Sequence, residues 1–380
     1  MEDLFSHVCD QVEKGGNRIF AFHNGVVDVV YEVPLTRQEY KDKLDLGEQR
    51  FDGKKTVRIG GGGINFALSA ASVGFPGIAF VGFMDAEAFA LVQKIKAESG
   101  IDFPILWTET GPRRNTILEL KDLNILYHDP ETASDATAEK LLAKLNILGA
   151  SADDWLASCS FYERTTFPLL DFGRRLFIDS GYGYPRRQKA LLSSLCPMLR
   201  PRKMLEVIIA ANETELQNIA DEFGSRGGEL IEKAHFASSV MSERSQTRVK
   251  ILLHTASFSS LVEPGADEKW VMPCLDINVL RRTNAGDTFA GTFMAAYNAT
   301  GNPCLSCFFA NVATAKRLAT DELPEPGKTK EFLRTARLRR VDAGAREVGV
   351  EELRMLSLLR SSVCLKASRA RVHPAAQILK

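Results

Sequence analysis

From Arg18 onward, short apolar runs of strand length alternate with segments of helical period, and no other feature narrows the possible fold as far. The runs are Ile19 to Phe22, Val26 to Val33, Ile78 to Phe83, Leu176 to Asp179, Val207 to Ala211 and Val249 to Leu253. Between several of them lie Ala67 to Val73, Phe89 to Ala97, Ala138 to Leu148 and Glu213 to Phe223, whose apolar residues recur at helical spacing. The pattern predicts an α/β chain in three layers: a mostly parallel central sheet, helices on both faces, and ligands beyond the carboxyl ends of the strands.

Two stretches break the alternation. Residues 32 to 58 are strongly charged and lack a core pattern, whereas 113 to 128 alternates like a hairpin turning near Asp122-Leu123-Asn124. Together they are expected to form a small β-sheet lid over the main sheet. Residues 1 to 17 read as an N-terminal extension, 18 to 327 as the main domain, and 328 to 380 as a basic helix and tail. In that last segment four Lys and nine Arg face five acidic residues, and Leu353, Leu356 and Leu359 predict a helix from Glu351 to Arg360.

Lys plus Arg and Asp plus Glu both number 48, so no overall field draws the chain to nucleic acid or to an anionic membrane. Any anionic ligand must be held locally. The longest uncharged run, Ile59 to Met84, carries too many glycines and polar groups to cross a bilayer. Seven scattered cysteines and a start without a basic region followed by an apolar one lead us to expect a cytoplasmic protein.

Four segments have the makings of chemistry. Gly60-Gly61-Gly62-Gly63-Ile64-Asn65 feeds a helix; missing Cβ atoms let a ligand approach the backbone, and the Asn65 amide both donates to and accepts from hydroxyls. Asn284-Ala285-Gly286-Asp287 precedes another helix. Small residues there leave the first N–H groups open to an anion, and a carboxylate among them suits a general base beside a transferring phosphoryl group. Asn212 and Glu215 open a third helix. They read first as a capping box, and alternatively as groups holding, through water, a Mg²⁺ ion that touches few carboxylates. Asp28 follows the first strand region, where a carboxylate can accept two hydrogen bonds from a vicinal diol.

The order of these pieces over residues 18 to about 325 resembles the ribokinase, or PfkB, family of carbohydrate kinases. The carriers are Asp28, GGGGIN at 60 to 65, VGFMD at 81 to 85, IDS at 178 to 180, NETE at 212 to 215 and NAGDTFAGTF at 284 to 293. The resemblance implies a ribokinase-like fold with a lid that often doubles as a dimer interface. It also implies a Mg²⁺-dependent transfer of the ATP γ-phosphoryl to a hydroxyl of a sugar or sugar phosphate. Asp287 would be the base, Asn284, Ala285 and Gly286 the anion loop, and Asn212 with Glu215 the magnesium-phosphate network. Asp28, Gly60, Gly61, Gly62, Gly63 and Asn65 would bind the sugar, with Arg114, alone or with Arg113, gripping a substrate phosphate as in the phosphosugar branch.

The chain departs from the family pattern where Asn284 replaces a usual glycine and Arg281 stands near a usual aspartate. Ala210-Ala211 replace a common Lys-Pro, and the nucleotide loop reads Leu253-His254-Thr255-Ala256-Ser257-Phe258-Ser259 rather than glycine-rich. His254, Thr255 and Asn311 are expected nearest the nucleotide. Two other readings stay open: a sugar-binding or regulatory protein on a kinase scaffold, and a nucleoside kinase with Tyr31 or Phe51 as the stacking partner.

Overall fold

The computed structural model describes residues 1–46, 52–112, 114–121, 124–128, 138–159, 169–179, 194–202, 204–225, 227–266, 268–280, 283–339, 341, 345–353 and 355. Arg113, Ser180, Arg281, Phe51, the turn at Asp122-Leu123 and most of the helix expected at Glu351 to Arg360 lie outside them.

Ten strands form the main sheet, in the order Arg346–Glu347, Trp270–Pro273, Phe258–Val262, Val249–His254, Glu206–Ala211, Arg175–Asp179, Trp155–Cys159, Ile19–Asn24, Ile78–Met84, Ile105–Glu109. From Val249–His254 to Ile105–Glu109 every neighbouring pair is parallel. Strand alternation explains the layers. Ile19, Ala21, Ile78 and Phe80 face one core with Phe66, Phe293 and Phe309, while Phe20, Phe22, Val81 and Phe83 face the other with Leu141, Leu216 and Ile231. Each such buried Ile, Leu, Val or Phe side chain stabilises the fold by about 1.5–3 kcal/mol relative to exposure.

The helices Gly62–Ser72, Ala285–Thr300 and Pro303–Thr320 cover the first face; Ala138–Ile147, Glu213–Glu222 and Leu230–Ser245 cover the second. The N-terminal residues join the first core. Helix Glu2–Glu13 buries Leu4, Phe5, Val8, Cys9 and Val12, and Phe5 stacks on Phe309 with ring centroids 4.7 Å apart. No helix among the described residues is long and apolar enough to cross a membrane.

A second sheet of four strands runs in the order Lys54–Gly60, Val26–Glu32, Arg114–Glu119, Asn124–His128. The expected hairpin is present, since Arg114–Glu119 pairs antiparallel with Asn124–His128. The placement of Val26 to Val33 in the main sheet is corrected. Only Gly25 separates Ile19–Asn24 from Val26–Glu32, and after it the chain leaves the main sheet to become an inner strand of the lid. Both runs are apolar because both are covered on two faces, so periodicity alone does not separate them. Within the charged stretch, Thr36 and Glu39 close a capping box that starts helix Arg37–Asp45, which buries none of its residues. Trp155–Cys159, Ile105–Glu109 and Leu230–Ser245 are elements that the sequence pattern did not reveal.

Candidate active site

The site lies where the lid meets the carboxyl edge of the parallel strands. Its centre is the first turn of Ala285–Thr300. Asn284 precedes it in the left-handed conformation (φ 64°) and makes no side-chain cap bond. The first main-chain bond of the turn runs from Thr288 N–H to the Asn284 carbonyl at 3.0 Å. The N–H groups of Ala285, Gly286 and Asp287 therefore have no intrahelical acceptor, and with the positive helix end they form an anion site.

Helix Gly62–Ser72 lies against this turn, and Ser69 Oγ donates to Thr288 Oγ1 at 3.3 Å. Gly61 is its N-cap and Gly62 its first residue. Gly63 has a packing reason: a Cβ there would stand 2.4 Å from the Phe22 carbonyl oxygen, so only glycine lets the helix start so close to the first strand. Asn65 is thereby buried beside Asp287, close enough to lower its pKa, while its Nδ2 closes no hydrogen bond among the described residues. An open amide hydrogen next to a carboxylate is what a ligand hydroxyl would satisfy.

Asp28 reaches the site from the lid. It is only 6% exposed, accepts from Asn115 Nδ2 at 2.9 Å, and lies over Gly60, where a Cβ would stand 2.2 Å from its carboxylate. Burial pushes its pKa up to about 6, against the pull of Asn115 and Arg58. Asp179 arrives from the end of its strand, beside Cys159 in the register. Burial, then the charges of Asp179 and Asp28, push Asp287 up to about 7, with Asn65 opposing. Among the described residues, no lysine or arginine is one of the groups that set it. The Cys159 thiol, fully buried, is raised well above its ordinary value by burial and by Asp179 and Asp287, which places both acids around one point.

The residues expected near a nucleotide are placed differently. Parallel registers bring Asp179, Asn212 and His254 to one edge. Asn212 and Glu215 realise the capping box: Glu215 N–H donates to Asn212 Oδ1 at 3.0 Å, and Asn212 N–H donates to Glu215 Oε2 at 2.9 Å. The His254 ring stacks on Phe289 with centroids 5.1 Å apart and borders Gly286, and burial pushes its pKa down to about 4. Thr255 Oγ1 donates to the Phe258 carbonyl and accepts from Ser257 and Phe258 N–H, closing the hairpin turn. Asn311 is buried, and its Nδ2 donates to the Met272 and Pro273 carbonyls, both at 3.1 Å. Arg114 sits half-exposed at the rim, paired with Glu87.

The sequence pattern assigns no site role to Asp179, Asn115 or Arg58. Asp179 belongs to the IDS piece and Asn115 to the hairpin stretch, and their polar character at the end of an apolar run and in a hairpin was the available signal. Asp85, the acid of VGFMD, accepts from Ala88 N–H at 2.7 Å and caps helix Ala86–Ser99.

A parallel sheet flanked by helices, a four-stranded lid and a carboxylate in the first turn of a helix at the strand ends define the class as the ribokinase-like α/β fold. Solved structures agree. Ribokinase from Thermotoga maritima is 20% identical with a TM-score of 0.61, over 84% of this chain and 100% of that one. Adenosine kinase from Anopheles gambiae, in complex with a di(adenosine) tetraphosphate, is 16% identical with a TM-score of 0.62, over 82% and 97%. A phosphofructokinase-2 mutant from Escherichia coli is 15% identical with a TM-score of 0.57, over 84% and 99%. No family model matches the chain, and no curated protein matches its sequence. The likeness to these structures establishes the fold.

Proposed function

We propose that the protein is a kinase that moves the γ-phosphoryl group of ATP to a hydroxyl of a sugar or sugar phosphate. The observation that carries this reading is Asp287: a carboxylate held near pKa 7 inside the open first turn of a helix, with a buried diol acceptor, Asp28, and an unsatisfied amide, Asn65, on the same side. A base titrating near neutral pH takes a proton effectively from a hydroxyl. In the step, the acceptor oxygen forms the new O–P bond as its proton passes to Asp287, and the bond from phosphorus to the ADP oxygen breaks. The N–H groups at 285–287, without intrahelical acceptors, would donate to the oxygens on which charge develops.

Magnesium fits only as an ion that keeps most of its own waters. Among the described residues no three His, Cys, Asp or Glu side chains are arranged to ligate an ion directly, and Asn212 with Glu215 would hold it through water. When bound it supplies positive charge to the phosphate oxygens. For a phosphorylated acceptor, Arg114 would turn from Glu87; that exposed pair holds it weakly. The outer face of the lid, with Tyr31 and Val57 each more than a third exposed, supports a homodimer formed through that sheet.

The test is ADP release from Mg·ATP across sugars, sugar phosphates and nucleosides, with Asp287→Asn beside the wild type. Turnover abolished by the substitution supports the kinase and names its acceptor. Silence across the panel, with sugar binding still seen by calorimetry, favours a binding protein instead. Thr255 and Asn311, whose donors are taken up by the protein's own backbone, are the observations on that side.

A further inference from the structure

The lid places two like charges side by side and joins one of them to the phosphoryl-site loop. Glu32 and Glu119 are direct neighbours on adjacent strands, and like charges so placed are destabilising. Both side chains are largely buried, 29% and 11% exposed. Arg58, from the strand on the other side, bonds Glu32 and lies 3.6 Å from Glu119 Oε2 through Nη1. Glu119 Oε2 is buried and accepts no hydrogen bond among the described residues. Its other oxygen reaches out of the lid altogether: Thr283 Oγ1, one residue before Asn284, donates to Glu119 Oε1 at 3.1 Å.

Arg58 is also the residue directly opposite Asp28 in the lid register, and its charge acts on that carboxylate. One guanidinium thus stands between the residue that would receive the acceptor hydroxyls and the glutamate that holds the loop leading to Asp287. We propose that Arg58, Glu119 and Thr283 form a latch by which the lid positions the phosphoryl-site loop, with Arg58 as the member shared with the acceptor site. These are positioning residues. The inference rests on the kinase reading only for what the loop does, not for the latch itself.

Two measurements need neither substrate nor activity. Hydrogen exchange of the full chain should show the Thr288 amide, whose bond to the Asn284 carbonyl closes the turn, exchanging about tenfold or more faster in Thr283→Val and in Glu119→Leu, the effect of losing one hydrogen bond to a charged group, with the core strands unchanged. Thr283→Ser, which keeps the hydroxyl, should restore wild-type exchange. Carboxyl NMR of Asp28 should show its titration moving upward in Arg58→Gln. In turnover, Thr283→Val should lower kcat more than it raises the KM for the acceptor. Unchanged exchange of the Thr288 amide in both variants, or an Asp28 titration indifferent to Arg58, overturns the latch. Absence of phosphoryl transfer by the wild type overturns the kinase reading while leaving the exchange result to decide the latch.

Discussion

The two sides of the site are built on different terms. On the acceptor side, side chains from distant parts of the chain converge with their chemistry intact: Asp28 held by Asn115, Asn65 with an open amide hydrogen, and Asp179 raising the cost of ionising Asp287. On the nucleotide side, residues at the expected positions serve the protein itself. Thr255 closes a turn, Asn311 ties a helix to a strand end, and Asn212 and Glu215 cap each other. One side stores desolvated charge for a ligand to relieve; the other has its polar groups satisfied already. Substitutions on the first should move function, and those at Thr255 and Asn311 should move stability.

The largest effect expected is at Asp287. Asp287→Asn should lower kcat by about 10² to 10⁴, the usual worth of a positioned general base, and turnover near wild type would remove it from the mechanism. The same variant should gain stability at high pH. The folded pKa values of Asp28 and Asp287 lie above the ordinary carboxylate value, so the stability they contribute is complete below about pH 4 and is lost as pH rises through about 6 and 7. Melting at pH 8 should therefore be higher for Asp287→Asn than for the wild type, with the difference shrinking toward pH 4. A wild type whose melting rises through this window contradicts the desolvated pair.

Gly60→Ala and Gly63→Ala separate the two kinds of contact. A Cβ at 60 meets the Asp28 carboxylate, so acceptor affinity should fall by about ten- to a hundredfold by calorimetry while melting changes little. A Cβ at 63 meets backbone, so about 1–3 kcal/mol of stability should be lost in denaturant titration. Equal stability losses would dissolve the distinction. Asn115→Leu should push the Asp28 titration above about 6, since burial raises that carboxyl and the bond from Asn115 does most to hold it down. The smallest effect belongs to the nucleotide side. Thr255→Val should cost about 1 kcal/mol in unfolding, and a change of more than about threefold in the KM for ATP would move Thr255 to the nucleotide.

Much of the fold was legible because its signals are local. The strands at 176–179, 207–211 and 249–253 and the helices around 67–73, 89–97 and 213–223 appear with boundaries shifted by a few residues. Trp155–Cys159 escaped notice because five buried residues after a polar turn give no periodicity to read. Asn65 and Asp287 stood out by residue type beside glycines and a helix start, and Asp28 as an acid after the first strand region. Asp179 and Asn115 did not, since an acid ending a strand and an amide in a hairpin are common on any surface.

The sequence by itself determined the α/β class, the helix starts at Asn212 and Asn284, and the presence of a small-residue loop carrying an acid. These depend on spacing over a few residues, where backbone geometry and periodicity act directly. Only the tertiary structure decided that Val26–Glu32 belongs to the lid, that three aspartates share one desolvated site, that Arg114 rests on Glu87, and that Glu119 holds Thr283. Pairing partners, burial and electrostatic neighbours come from residues far apart in the chain, and no local pattern encodes which of them will meet.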